Sequence, residues 1–205
     1  MKIAIMQPYF LPYAGYFKLI SEVDIFVFLD DVQYKKRSWM NRNKICLDSP
    51  FFLTIPIKNC NFNSKIYEIE VCDNWLEKHK NSLIHVYGRK IINHDFYKFY
   101  CSLNKHKKLF EISCDSIIWI SNYFNFKTKF LYSSKFPSIL KKQNRIIEIC
   151  KHLNASSYYN LPNGKYIYDE KYFEEKNIKL NFIDTNNYQK ISIMENIFND
   201  RTSCL

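Results

Sequence analysis

Glycine is nearly absent: the 205 residues include three, Gly15, Gly88 and Gly164. The Rossmann fingerprint and the Walker loop each need several glycines within a few positions, so both usual phosphate cradles are excluded. The seven cysteines, Cys46, Cys60, Cys72, Cys101, Cys114, Cys150 and Cys204, are scattered, with no Cys-x-x-Cys pair among them. That spacing offers neither a zinc knuckle nor a redox couple and predicts reduced thiols in a cytoplasmic protein. Long apolar runs are missing as well. Lys2 to Met6 is stopped by Gln7 and Pro8, and nothing approaches the roughly 20 apolar residues of a spanning helix, so neither export nor membrane insertion is expected. No Gly-x-Ser-x-Gly elbow surrounds a serine, which removes the usual acyl-enzyme. His79, His85, His94, His106 and His152 form no helical metal pair beside a carboxylate motif, so no metal is expected and most of them are predicted at the surface or at helix caps. Acid is in short supply: 20 Asp and Glu face 30 Lys and Arg, a formal charge of +10 with pI near 9.1. This balance favours anionic partners, and a basic surface is also attracted to anionic lipid head groups.

What is abundant is hydrophobic and aromatic: 47% hydrophobic residues, with 17 Phe and 16 Tyr. That composition excludes wholesale disorder and predicts one folded, soluble domain over residues 1–205. Lys2 to Met6 has the continuous apolar pattern of a buried parallel strand at the centre of a sheet. Two prolines and Gly15 follow, then helical spacing from Tyr16 to Ser21. Ile25 to Leu29 is a second strand, closed by Asp30-Asp31. Strand, helix, strand in this order implies a parallel crossover, with ligands bound at the strands' carboxyl ends. Further strands are predicted over Phe51 to Ile57, Ile66 to Val71, Lys129 to Tyr132 and Lys179 to Ile183. Helical spacing marks Asn74 to Tyr87, Phe96 to Leu109, Ile117 to Phe124 and Ile139 to Leu153, giving a helical subregion at about 74–126. The tail after Asn199 is expected to fray. The fold class is α/β, a mainly parallel sheet flanked by helices.

The densest polar chemistry runs from Asp30 to Lys44, directly after a predicted buried strand. Arginine offers a planar fork to phosphate or carboxylate, asparagine pairs with amides and hydroxyls, and tryptophan stacks on a base or sugar ring. A solvated basic loop, or an Asp31–Arg42 pair holding that loop, would explain the charges alone. The Trp39-x-Asn41-Arg42-Asn43 core points further, to a polar, anionic small molecule.

Gln7-Pro8 through Leu11-Pro12, Gly15-Tyr16-Phe17, Asp30-Asp31-Val32-Gln33-Tyr34, Lys36-Arg37-Ser38-Trp39 and Asn41-Arg42-Asn43 together resemble the signature of the WbqC-like family. Ser133-Ser134, the helix from Arg145 to Lys151, Tyr158-Tyr159, Gly164-Lys165-Tyr166 and Phe173 resemble its second block, so the likeness spans nearly the whole chain. The resemblance implies a role in bacterial O-antigen or capsule polysaccharide synthesis, with transfer of glycine or another aminoacyl unit to an amino sugar. The implied substrate is a nucleotide- or lipid-linked amino sugar, and ATP or an aminoacyl-tRNA is the implied donor. Two departures stand out: Met6 replaces a histidine that many members carry before Gln-Pro, and Asn160 to Gly164 replaces a shorter Ser-Gly turn.

By analogy, the opening also resembles nucleotidyltransferase-like Rossmannoid proteins, with Tyr13-Ala14-Gly15-Tyr16 in place of a His-x-Gly-His element. Tyrosine can hydrogen-bond a phosphate but brings no positive charge. Direct attack by the sugar amine is the expected chemistry, with Asp30 or Asp31 accepting the proton and Arg42 or Asn43 stabilising the oxyanion. Gln7, Pro8, Tyr13, Gly15, Tyr16, Gln33, Arg37, Trp39 and Asn41 are the expected binding residues, with Lys142, Arg145 and Lys165 as a second wall. Two alternatives stay open: a noncatalytic binding protein of polysaccharide assembly, and a basic RNA-binding module using the aromatics from Tyr87 to Phe126. The helical spacing of those aromatics favours core, and Cys150 is expected as a buried small hydrophobe.

Overall fold

Continuous apolar pentads and alternating runs become strands here, and the three-to-four-residue stripes become helices. The computed structural model describes residues 1–199. The expected fraying beyond Asn199 and the reading of Cys204 lie outside the described residues. In chain order the elements are β1 (Lys2–Met6), α1 (Ala14–Ser21), β2 (Ile25–Phe28), β3 (Arg42–Ile45), β4 (Phe51–Thr54), α2 (Trp75–Tyr87), α3 (Asp95–Ser102), α4 (Leu109–Tyr123), β5 (Lys129–Tyr132), α5 (Lys142–His152), β6 (Ser157–Asn160), α6 (Glu170–Glu174), β7 (Lys179–Phe182) and α7 (Met194–Phe198).

The chain divides into two compact units. One comprises Met1–Gln7, Gly15–Asp30 and Ser121–Gln189; the other comprises Pro8–Ala14, Asp31–Ile120 and the stretch from Lys190 on. The first holds a five-stranded sheet in the order β5-β2-β1-β6-β7, every neighbouring pair parallel. As its unbroken apolar run predicts, β1 is the central strand. Successive side chains of a strand point to opposite faces, and the register sorts them cleanly. Ile3, Ile5, Val27, Tyr158 and Leu180 face Ile146, Ile149 and Cys150 of α5 and Phe173 of α6. On the opposite face, Phe26 lies 5.4 Å from Tyr16 of α1 and Phe28 stacks on Phe130 at 5.4 Å. A parallel sheet with helices on both faces makes this an α/β fold.

The second unit contains the antiparallel hairpin β3–β4, registered from Arg42 opposite Thr54 to Ile45 opposite Phe51. The predicted strand over Phe51 to Ile57 ends earlier, at Thr54: the Ile55 N–H still meets Asn41 C=O, but Pro56 has no N–H to continue the ladder. The strand expected over Ile66 to Val71 is largely a 3₁₀ turn, Ile66–Glu68. Glu68 reaches back to the Lys65 N–H at 2.8 Å, which stabilises a turn over extended chain. Only single bridges, Ile57 with Val71 and Glu70 with Lys108, retain sheet pairing. The helical middle is present as α2, α3 and α4, although α3 stops at Ser102 and α4 begins at Leu109 rather than Ile117. Tyr123 at its end stays 40% exposed, but Phe96 and Tyr100 are fully buried and Trp75 meets Tyr100 edge-on at 6.0 Å. This packing makes them core, as the helical spacing predicts.

Gly164 is packed too closely for a side chain. A Cβ there would stand 2.9 Å from Phe182 Cε1 and 3.1 Å from Asn160 Cγ. Gly164→Ala is therefore expected to cost about 1 to 2 kcal/mol by overpacking, read as a lowered urea midpoint with an unchanged slope.

Candidate functional site

The stretch after Asp31 is shaped by three local devices. Ser38 caps the 3₁₀ turn Trp39–Asn41, accepting from the Met40 N–H at 3.4 Å while donating to Lys35 C=O at 2.6 Å. Arg37 holds a left-handed backbone, φ +57°, and its carbonyl accepts from Arg42 Nη2 at 2.8 Å. The Arg42 guanidinium lies over the Phe52 ring at 4.5 Å, and Trp39 sits 5.6 Å from the same ring. β3 carries Arg42 and Asn43 to opposite sides: Asn43 is buried, donating from Nδ2 to Phe10 C=O at 3.2 Å and to Leu11 C=O at 2.5 Å. Asn41 Nδ2 donates to Ile55 C=O at 2.8 Å, tying the turn to the chain leaving β4.

These residues open a recess of about 310 Å³ lined by Tyr34, Lys36, Arg37, Asn41, Arg42, Thr54, Ile57, Lys58, Asn59 and Cys60. Four of the lining side chains are cationic and none is a carboxylate. Lys58 also pairs with Glu70 at 2.9 Å on the exposed side, and that hydrogen bond holds its ammonium above its ordinary pKa. Burial, and secondarily Cys60, push the Tyr34 phenol up to about 12, so Tyr34 offers a neutral O–H. A cluster of cations with one neutral donor is suited to phosphate or carboxylate. Trp39, 47% exposed, leaves part of its ring open beside it.

Of the residues singled out from sequence, Arg37, Asn41 and Arg42 converge on this recess. Lys36 and Tyr34, quoted only for their resemblance, join them. Thr54 and the segment from Ile57 to Cys60 form a wall that sequence reasoning missed; a lysine and asparagines directly after an apolar strand were the available signal. Gln33 is exposed and donates to Phe62 C=O at 2.7 Å, while Asp31, Pro8 and Tyr13 belong to the same unit.

Gln7, Gly15, Tyr16, Asp30, Lys142, Arg145 and Lys165 belong to the sheet unit. Tyr16 is fully buried and donates its O–H to Gln7 C=O at 3.1 Å, so its hydroxyl is spent inside the fold rather than on a phosphate. Asp30 is also buried. Its carboxylate accepts from Ser133 Oγ at 3.0 Å, from Ser134 N–H at 2.9 Å and from Ser134 Oγ at 2.7 Å. Arg145 is buried beside it in the fold, donating to Ser133 C=O and to Glu148, each at 2.9 Å. Asp30 and Arg145 are thus committed to a hydrogen-bonded node at the carboxyl ends of β2 and β5. Lys142 and Lys165 stay exposed.

His79 departs from the expectation of a surface or capping residue. It is buried, with Nε2 2.9 Å from Thr54 C=O and Nδ1 2.6 Å from Tyr100 O–H. A carbonyl only accepts, so Nε2 carries the proton and Nδ1 receives the phenol's. His94 does cap α3, accepting from Phe96 N–H at 3.1 Å. Cys150 is fully buried, its thiol pushed up to about 12 by that burial, which suits the small hydrophobe expected there. Among the described residues no group of three or more His, Cys, Asp or Glu side chains could hold a metal ion. No helix among them is long and apolar enough to cross a membrane.

Fold and recess together define an α/β protein with a recess lined by four cationic side chains. The chain belongs to the WbqC-like protein family, whose model matches residues 7–205. Among curated relatives, the uncharacterized protein Rv1507c of Mycobacterium tuberculosis is 27% identical over 216 residues, covering 97% of this chain and 93% of the relative. No solved structure matches the chain.

Two outcomes follow from these contacts. Asn43→Ala strips two buried carbonyls of their donor and is expected to cost about 2 to 4 kcal/mol of stability in chemical denaturation. His79 titrates near 4 in the fold because burial disfavours its charged form, against 6.5 in the unfolded chain. The unfolded state takes up the proton first as pH drops, so stability is full above pH 6.5 and declines from there through pH 4. That decline amounts to about 3 kcal/mol. His79→Gln keeps a donor for Thr54 and an acceptor for Tyr100 and should flatten this part of the pH profile of urea unfolding.

Proposed function

We propose that the recess binds the phosphate-bearing part of a nucleotide-linked amino sugar and that the protein transfers or ligates a small acyl group, glycyl or another aminoacyl unit, to the sugar's amine. The observation that carries this reading is the recess wall of Lys36, Arg37, Arg42 and Lys58, with no carboxylate among its lining residues and with Lys58 paired to Glu70 outside the lining. Arg42 is preorganised by Arg37 C=O and the Phe52 ring, which lowers the ordering cost of gripping an anion. Trp39 beside Phe52 supplies a surface for a base or sugar ring. Asn43 and Asp30 have their polar atoms engaged within the fold; in this reading Arg42, at the recess, steadies the oxyanion and a carboxylate such as Asp31 takes the amine's proton. The donor in this reading is an amino acid activated with ATP, or an aminoacyl-tRNA. Family membership supports placing the step in surface-polysaccharide assembly of the O-antigen or capsule kind.

The test is to incubate the protein with nucleotide-linked amino sugars and glycine plus ATP, or with glycyl-tRNA, and to look for the added acyl mass by mass spectrometry. Arg37→Gly is expected to weaken sugar-nucleotide binding about tenfold. It should leave the melting temperature nearly unchanged, because glycine relieves the left-handed strain it inherits. Wild-type affinity in both Arg37→Gly and Arg42→Gln would remove the recess from the reaction.

A further inference from the structure

In the sheet unit, two loops leave the carboxyl ends of parallel strands with their apolar side chains uncovered. After β5, Ile139 is 94% and Leu140 43% exposed; after β6, Tyr166 is 91% and Ile167 67% exposed. The chain just beyond each loop is joined, since Gln143 Oε1 in the first turn of α5 accepts from the N–H of Asp169, the cap of α6, at 3.2 Å. Single exposed apolar residues are ordinary, but two adjacent pairs, on loops whose following helices are joined, are the kind of feature that marks an interaction site.

The surrounding charge says which kind. Lys135, Lys141, Lys142 and Lys165 are all exposed around the four apolar tips. The nearest acidic group on the first loop is Glu148, which meets Ser138 and pairs with Arg145 at 2.9 Å, and no other occurs from Ser133 to His152. Asp169 and Glu170 close the second loop, but the Asp169 carboxylate is turned to the Tyr172 N–H as the cap of α6. Lys141 and Lys142 stand at the amino end of α5, where the helix dipole opposes them unless an anion is near. Aliphatic tips and a tyrosine, whose amphipathic ring suits the head-group level, rimmed by lysines are the chemistry of a protein lying on an anionic bilayer. The geometry points to these two loops as a peripheral docking surface for a membrane of anionic phospholipid.

Each lysine near such a surface contributes about 1 kcal/mol, roughly fivefold in affinity, and the two isoleucines add burial at the acyl boundary. The purified protein is expected to sediment with vesicles of phosphatidylglycerol and phosphatidylcholine, to ignore pure phosphatidylcholine, and to be released by salt. Lys141→Gln/Lys142→Gln/Lys165→Gln should weaken vesicle binding by more than tenfold. Ile139→Ser/Ile167→Ser should weaken it by about tenfold with an unchanged melting temperature, since both side chains are already in water. Lys78→Gln/Lys90→Gln/Lys105→Gln, with the same loss of charge elsewhere, should retain binding. The proposal is overturned if wild type ignores the anionic vesicles. It is equally overturned if the isoleucine pair binds them like wild type, or if that pair instead alters the oligomeric state in light scattering while vesicle binding stays intact.

Discussion

Backbone groups that leave water must find partners, and that constraint is sharpest in the segment from Pro8 to Ala14. Phe10 and Leu11 are fully buried on irregular chain, with two prolines that give no N–H and a left-handed Leu11 at φ +45°. No ladder can satisfy such a stretch. Instead the Phe10 N–H donates to Met40 C=O at 3.0 Å, and Pro12 C=O accepts from Ile193 N–H at 2.9 Å. The Asn43 amide serves the Phe10 and Leu11 carbonyls. Anchoring Asn43 inward fixes β3, and the strand's two-residue period then presents Arg42 on the other side, over Phe52 and at the recess. His79 does the same for the second strand of the hairpin by holding Thr54 C=O. The cationic recess therefore stands on buried, neutral amide and imidazole contacts, which cost less to keep dry than charges would.

The sheet unit solves a related problem with a charged group. Asp30 ends β2 in a buried position, where an ionised carboxylate is costly unless its acceptor capacity is filled. Ser133 and Ser134 fill it from the turn after β5, while Ser133 C=O is engaged by Arg145 from the first turns of α5. Residues separated by more than a hundred positions thereby fix how β2, β5 and α5 meet. This accounts physically for why the first block of the family resemblance ends its strand in aspartate and the second opens on paired serines and an arginine.

Strong periodicity made most of the sheet unit legible. β1, β2 and β5 are short apolar runs with clear stops, β7 is nearly so, and the stripes of α2 and α5 run long enough to be unambiguous. β3 escaped because Arg42-Asn43-Lys44-Ile45 is polar and shows alternation only once Asn43 is known to be buried. β6, Ser157 to Asn160, is four residues with two tyrosines, too brief to separate from a loop by pattern. Ile66 to Val71 misled because alternating Ile, Ile and Val mimic a strand, whereas Glu68 closing on Lys65 N–H turns the chain. At the site, Arg37, Asn41 and Arg42 lie in one stretch and could be grouped by sequence. Tyr34 and Lys58 required the hairpin's fold, since pairing Arg42 with Thr54 is what carries the chain after β4 back to the arginines.

The strand order reverses at the centre of the sheet: β1 neighbours β2 on one side and β6 on the other, with β5 and β7 outermost. In open α/β sheets the loops leaving two strands at such a reversal diverge and leave room beyond their carboxyl ends. Gln7 leaves β1 there and is exposed, and Asn160 with Leu161 leaves β6. The loop that begins at Leu161 runs on through Gly164, whose close packing against Phe182 and Asn160 holds it down, to the outward Tyr166 and Ile167. The switch-point edge of the sheet and the uncovered apolar tips are thus two parts of one loop. Seating those tips on a bilayer would bring the carboxyl edge of the sheet toward the lipid surface.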